Sequence, residues 1–220
     1  MKRVVLLHGL WMRSLVMWPL ATHLREEGFE VEVVDYASIL RGPMPCIAWL
    51  SRRLRSAREA DTHLVGHSLG GVVAVHAALE AGERFRGRVL CLGSPLAGSA
   101  IARRMSQRRG VAALAGRSAG ILARGIDRLP PGREIGVIAG RRALGIGRLL
   151  HRFDEPNDGS VAVSETRVAG LQCREAVVCP WNLQDLPATE QRRETPACGR
   201  PPAIGSSSST ATPAPATTTC

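Results

Sequence analysis

The stretch Gly66-His67-Ser68-Leu69-Gly70 constrains this chain more than any other, because few local folds can hold it. The run before it, Thr62-His63-Leu64-Val65-Gly66, reads as a short buried strand, and Gly70-Gly71-Val72-Val73-Ala74-Val75-His76-Ala77-Ala78-Leu79 after it reads as a helix. A serine on a sharp turn between the two is lifted clear of the backbone, and the N–H of the next residue points into the same space. Gly66, Gly70 and Gly71 suit such a turn because a Cβ at those positions would collide with the neighbouring strand and helix. The spacing predicts a strand–turn–helix unit that presents Ser68 as a nucleophile.

Runs of the same kind flank this unit. Arg3-Val4-Val5-Leu6-Leu7-His8-Gly9 reads as a first strand, residues 15–27 as a helix closing at Gly28, and Val31–Tyr36 as a second strand. Pro43 and Pro45 introduce a helix through about residue 59, and Arg88–Leu92 and Glu134–Ala139 read as the fourth and fifth strands. Short apolar runs alternating with helical segments predict an α/β fold, a central, mostly parallel sheet flanked by helices on both faces. Function is then expected beyond the carboxyl ends of the strands, where His8-Gly9, Ser68, Gly93-Ser94-Pro95 and the loop after Gly140 fall.

Residues 99–129 carry Ile101, Met105, Leu114, Ile121, Leu122 and Ile126 at loosely helical spacing. That pattern fits a surface helix pair with its apolar side on the core, with a lid over the site as the alternative. One domain is expected over 1–178. From 179 to 220 the chain is a tail, and its Pro, Ser, Thr and Ala content predicts disorder from about residue 195.

At 220 residues and 45% hydrophobic content the chain is long enough for one well-buried core. Its net charge of +10 is almost all arginine, Lys2 being the only lysine. No helix-turn-helix, zinc-finger or aromatic-plus-basic pattern accompanies that charge, so nucleic acid is not expected as a partner. The apolar run after Lys2-Arg3 is too short for a signal peptide, and no stretch is long enough to span a bilayer. A soluble cytoplasmic protein is expected, with contact at a membrane surface left open. Oligomeric state has no signature in the sequence. The six cysteines lack Cys-x-x-Cys spacing and read as free thiols, without a metal site. Cofactors are not expected either: Gly145-Ile146-Gly147 lacks the third glycine of a dinucleotide fingerprint, and no phosphate loop is present.

A tetrahedral oxyanion needs two N–H donors, and the backbone of Leu69, after the serine, and of Leu10, after the first strand, are the matching positions. His8 is expected to hold that loop by a structural hydrogen bond. His8-Gly9-Leu10-Trp11, Gly66-His67-Ser68-Leu69-Gly70-Gly71, Leu92-Gly93-Ser94-Pro95-Leu96-Ala97-Gly98-Ser99 and Asn157-Asp158-Gly159-Ser160-Val161 together resemble the α/β-hydrolase superfamily. Within it they resemble the small lipase and esterase branch that begins almost directly at the His-Gly strand, and the resemblance spans residues 3 to about 172. It implies a serine hydrolase acting on carboxylic esters or lipids through an acyl-enzyme on Ser68, with Asp158 as the triad acid. Asp154 is the alternative acid, and either aspartate could instead be a turn former beside Pro156 and Gly159.

The resemblance departs at the base. Where the family carries its histidine, this chain reads Trp181-Asn182-Leu183-Gln184, and the closing amphipathic helix is missing, as after a frameshift near residues 173–180. His76 lies eight residues beyond Ser68, about 12 Å along a helix at 1.5 Å per residue. His67 should point away from the pocket, and His23 and His63 sit on other elements. That leaves His151, on the correct side of the sheet but ahead of Asp158 in chain order. The sequence thus predicts a serine ester hydrolase impaired by the want of a base, with a non-catalytic protein that binds an acyl or hydrophobic ligand as the alternative.

Overall fold

A computed structural model of the chain describes residues 2–56, 61–107, 116–130, 132–141, 153–169 and 171–176. Among these residues six strands form one sheet: β1 (Arg3–Leu7), β2 (Glu30–Val34), β3 (His63–His67), β4 (Val89–Leu92), β5 (Ile135–Gly140) and β6 (Gln172–Ala176). Their spatial order is β2-β1-β3-β4-β5-β6, and every neighbouring pair is parallel. The sheet among the described residues is therefore wholly parallel rather than mostly so. β6 is an addition to the sequence reading; its Gln-Cys-Arg-Glu-Ala sequence lacks the apolar run that marks the other strands.

The helices are α1 (Trp18–Glu26), α2 (Met44–Leu54), α3 (Leu69–Ala81), α4 (Ala100–Gln107), α5 (Ala119–Arg124) and α6 (Val163–Thr166). A 3₁₀ turn at Ser14–Met17 leads into α1, so the first helix opens one turn tighter than its periodicity implies. Alternation along β1 divides the core. Val5 and Leu7 face α2 and α3 with Ile47, Leu50, Leu54, Val72 and Val75, whereas Val4 and Leu6 face α1 with Met17 and Ala21. α3 is buried on nearly all sides, which explains a helix sequence with almost no polar face.

The described parts of 99–129 pack into the body of the domain. Ala102, Ile121, Leu122 and Ile126 join the same core as β1 and α3, and the backbone bonds Ser99 N–H to Leu122 O and Ile126 N–H to Leu96 O tie α4 and α5 to the strand-end loop after β4. Leu114 lies outside the described residues, as do residues 177–178 and the tail expected over 179–220.

β1 continues to β2 on one side, and the chain then crosses to β3 on the other. The loops leaving β1 and β3 consequently diverge around a crevice at their carboxyl ends, with Leu7 paired opposite Gly66. That places His8-Gly9-Leu10 beside Ser68.

Candidate active site

Ser68 is the single residue between β3 and α3, at φ 52° and ψ −117°. A side chain at positive φ is strained by about 1–3 kcal/mol, so the turn is held there by its surroundings. Its N–H donates to Leu92 O at 2.9 Å and its carbonyl accepts from Gly71 N–H at 3.1 Å. The glycines make the turn fit: a Cβ on Gly66 would stand 2.3 Å from the Gly70 carbonyl carbon, and one on Gly70 would stand 2.2 Å from Leu7 O. Ser68 itself is half-buried.

The loop after β1 rests directly on this turn, since a Cβ on Gly9 would lie 3.1 Å from Ser68 Cβ. Leu69 opens α3, so its N–H has no acceptor within the helix. No backbone acceptor for Leu10 N–H occurs among the described residues. Trp11, the next residue, has φ 60°. His8 is fully buried. Its Nδ1 lies 2.9 Å from Gly9 O, and its Nε2 accepts from Tyr36 N–H at 3.2 Å. A carbonyl can only accept, so Nδ1 donates to Gly9 O, and Nε2 also lies 3.2 Å from Asp35 Oδ1. His8 is thus occupied in holding the loop.

Asp158 lies in the loop after β5 and is buried, whereas Asp154 is exposed. Asp158 Oδ1 accepts from Ser160 N–H at 2.8 Å and Val161 N–H at 2.7 Å. The residue is therefore a turn former, yet its Oδ2 is turned toward Gly93 at the end of β4, 2.9 Å from where a Cβ there would sit. Gly93 has φ 52° and follows the Leu92 carbonyl that receives Ser68 N–H. Burial raises the Asp158 pKa above the usual carboxylate value, with its two backbone bonds opposing the shift. The loop is anchored by Glu165, also buried, whose Oε2 accepts from Ala162 N–H and whose Oε1 accepts from Ala100 N–H at the start of α4.

Among the described residues, Ser68 Oγ has no hydrogen-bonded imidazole. His23 is exposed on α1 beside Glu26. His63 begins β3, at the opposite end of the strand, and accepts from Arg88 N–H. His76 lies two turns along α3. His67 is buried beneath the β1 loop, its Nδ1 3.2 Å from a Cβ placed on Gly9 and without a partner. Burial, with the nearby His8 adding to it, depresses the His67 pKa to about 4, so the ring is neutral. His151 lies outside the described residues. A cavity of about 540 Å³ bordered by His63, Arg88, Arg133 and Glu134 opens at the amino ends of β3, β4 and β5, away from Ser68.

The sequence reading missed Asp35 and Tyr36. Tyr36 stacks on the His8 ring at 4.3 Å between centroids, and its hydroxyl donates to His8 O at 2.7 Å. Asp35 takes three bonds from Arg13, from Nε at 3.2 Å to Oδ1 and 3.0 Å to Oδ2 and from Nη2 at 2.6 Å to Oδ2, and these hold its carboxyl below the usual range. The available signal was position alone: both residues sit at the exit of β2, and Tyr36 is the only tyrosine in the chain.

A family model described as the alpha/beta hydrolase family matches residues 4–205. Among solved structures, the mature form of the Bacillus licheniformis lipase BlEst2 is similar at 19% identity and a TM-score of 0.65, over 82% of this chain and 85% of that one. The RedJ thioesterase of prodiginine biosynthesis in Streptomyces coelicolor aligns at 15% identity and a TM-score of 0.53, over 86% of each chain. A metagenomic carboxyl esterase, MGS0156, aligns at 16% identity and a TM-score of 0.54, over 78% of this chain and 62% of that one. At these identities the likeness is one of fold. No curated protein matches the sequence.

Proposed function

Because this chain belongs to the alpha/beta hydrolase family, we propose that it is a serine hydrolase of carboxylic esters, with Ser68 as nucleophile. The observation that carries this reading is the strained backbone of Ser68, φ 52° on a half-buried residue between β3 and α3. Strain of this kind persists where function needs a side chain thrust out of the turn. The solved structures of similar fold described as lipase, carboxyl esterase and thioesterase agree with acyl transfer as the reaction class.

In the proposed reaction Ser68 Oγ attacks the ester carbonyl and gives up its proton to a base. The oxyanion that forms takes hydrogen bonds from Leu10 N–H and Leu69 N–H, each worth about 10²–10³ in rate by analogy with other such donors. The proton then passes to the departing alcohol oxygen, and water repeats the sequence on the acyl-enzyme. Asp158, with Oδ1 engaged in its own turn, has Oδ2 left to orient the base.

Of the chain's six histidines, the five described ones make no bond to Ser68, so His151 is the base under this reading. Without a working base a serine enzyme loses about 10⁶ in rate, leaving only what the oxyanion donors and binding supply. The absence of an imidazole on Ser68 among the described residues favours a second reading, a non-catalytic protein that binds an acyl or hydrophobic ligand.

Hydrolysis of short-chain p-nitrophenyl esters separates the two. The catalytic reading requires turnover that Ser68→Ala abolishes and His151→Ala cuts by orders of magnitude. Turnover equal in wild type and Ser68→Ala would leave only the binding reading.

A further inference from the structure

The loop that carries Leu10 is gripped at both ends by the residues leaving β2. At its start, Tyr36 holds His8 three ways: its N–H bonds His8 Nε2 at 3.2 Å, its hydroxyl bonds His8 O at 2.7 Å, and its ring stacks on the imidazole with 17° between planes. At the far end, Arg13 is fixed to Asp35 through both Nε and Nη2, and Asp35 Oδ1 also lies 3.2 Å from His8 Nε2. His8 adds a bond inward, from Nδ1 to Gly9 O.

Between these grips lie Gly9, Leu10, Trp11 and Met12. Within that stretch Trp11 takes φ 60°, and the backbone bond from Met12 N–H to Gly9 O that closes the turn is long at 3.4 Å. A bulky residue leaves its preferred backbone region only where the neighbours over-determine it. The turn's own bond is too weak to do so. Support comes also from outside the turn, from Asp35 and Tyr36 just beyond β2, which make no contact with Ser68 among the described bonds.

We propose that Tyr36 and Asp35 are positioning residues for catalysis: they clamp the ends of the β1 loop so that Leu10 N–H stays aimed at the space beside Ser68 before any substrate arrives. The proposal rests on the reading of Leu10 as an oxyanion donor. It goes beyond that reading by assigning the preorganisation of the donor to β2, the strand on the far side of β1 from the nucleophile. An oxyanion donor acts only if its direction is fixed in advance, since reorganisation during the reaction forfeits the gain. His8 serves here as the handle that Tyr36 grips, which explains a fully buried histidine with both nitrogens engaged.

The test uses the full chain with Tyr36→Phe, which keeps the stack and loses only the hydroxyl bond, and Asp35→Asn, which weakens both the Arg13 grip and the contact with His8 Nε2. Backbone ¹⁵N relaxation reports order at Gly9, Leu10 and Trp11, and the second-order rate of fluorophosphonate labelling at Ser68 reports function. In the wild type the order parameter at Leu10 should be about 0.85, falling below about 0.6 in either variant while residues of α3 stay rigid. Labelling should slow about tenfold, a fraction of the loss when an oxyanion donor is removed outright. Unchanged order at residues 9–11 in both variants overturns the clamp. Lost order with an unchanged labelling rate overturns its catalytic role and leaves a purely structural one, as does a lowered melting temperature with labelling intact. A wild type that never labels defeats the reading of Ser68 and with it the catalytic half of the proposal, while the relaxation data still decide the clamp.

Discussion

Replacing Ser68 by glycine should make the protein more stable than replacing it by alanine, the reverse of the usual order. At φ 52° and ψ −117° the residue has the geometry of the first central position of a type II′ turn, where glycine is favoured. Holding any side chain there costs about 1–3 kcal/mol. Ser68→Ala keeps the Cβ and therefore the strain. Ser68→Gly removes it and gives back about 0.5–1 kcal/mol through the greater freedom of glycine in the unfolded chain. The difference leaves the glycine variant ahead by about 1–2 kcal/mol. In a chain of this size each kcal/mol moves the midpoint by about 2–4 °C, so the two variants should melt about 4 °C apart. Thermal melts followed by circular dichroism, checked by urea titration, measure this without any need for activity. A glycine variant that melts at or below the alanine variant would refute the strain argument, and with it the physical case for Ser68 as a residue held out of its turn.

A paired glycine test probes the same turn: Gly70→Ala, whose Cβ would stand 2.2 Å from Leu7 O, should destabilise by about 3 kcal/mol. Gly120→Ala, in α5 with nothing within 4 Å, should stabilise by about 0.5–1 kcal/mol in the same urea experiment. His67 titrates near 4 when folded and near 6.5 when unfolded. The unfolded chain therefore binds its proton first, and stability falls as pH drops from 6.5 through 4, by about 3 kcal/mol in all. His67→Gln should flatten that acid limb, and an unchanged slope would contradict the buried neutral ring. Asp158 works in the opposite sense: its folded pKa is raised by burial, so the folded state holds the proton longer and stability declines as pH rises from about 3.9. Asp158→Asn, which can keep accepting from Ser160 and Val161, should gain on the wild type through that interval in melts recorded from pH 4 to 8.

Much of this architecture could be read from the sequence because buried parallel strands have no polar face. Val4–Leu7 and Leu64–Val65 advertise themselves as apolar runs, and α3 follows its turn without a break. β6 was not legible: Gln172–Ala176 mixes polar and apolar residues, and its place was set by pairing with β5 rather than by its own composition. The same division holds at the site. Ser68 and the glycines around it carry a local signature, since the turn itself excludes Cβ atoms. Tyr36 and Asp35 carry none, because their partners His8 and Arg13 lie 28 and 22 residues earlier in the chain and meet them only once β1 and β2 pair. His67 is expected from the sequence to turn away from the pocket; its Nδ1 packs against the β1 loop at Gly9, which Ser68 Cβ also approaches. That its ring is buried with an unpartnered Nδ1 could be seen only in the folded chain.

The most direct test of the central claim, that Ser68 is an activated nucleophile, is to treat the chain with a fluorophosphonate and map the adduct by peptide mass spectrometry. One phosphonylated serine is expected, at Ser68, formed in the folded protein and lost in Ser68→Ala and on unfolding in urea. A folded wild type with no adduct at Ser68, or labelling that persists undiminished in Ser68→Ala, would contradict it.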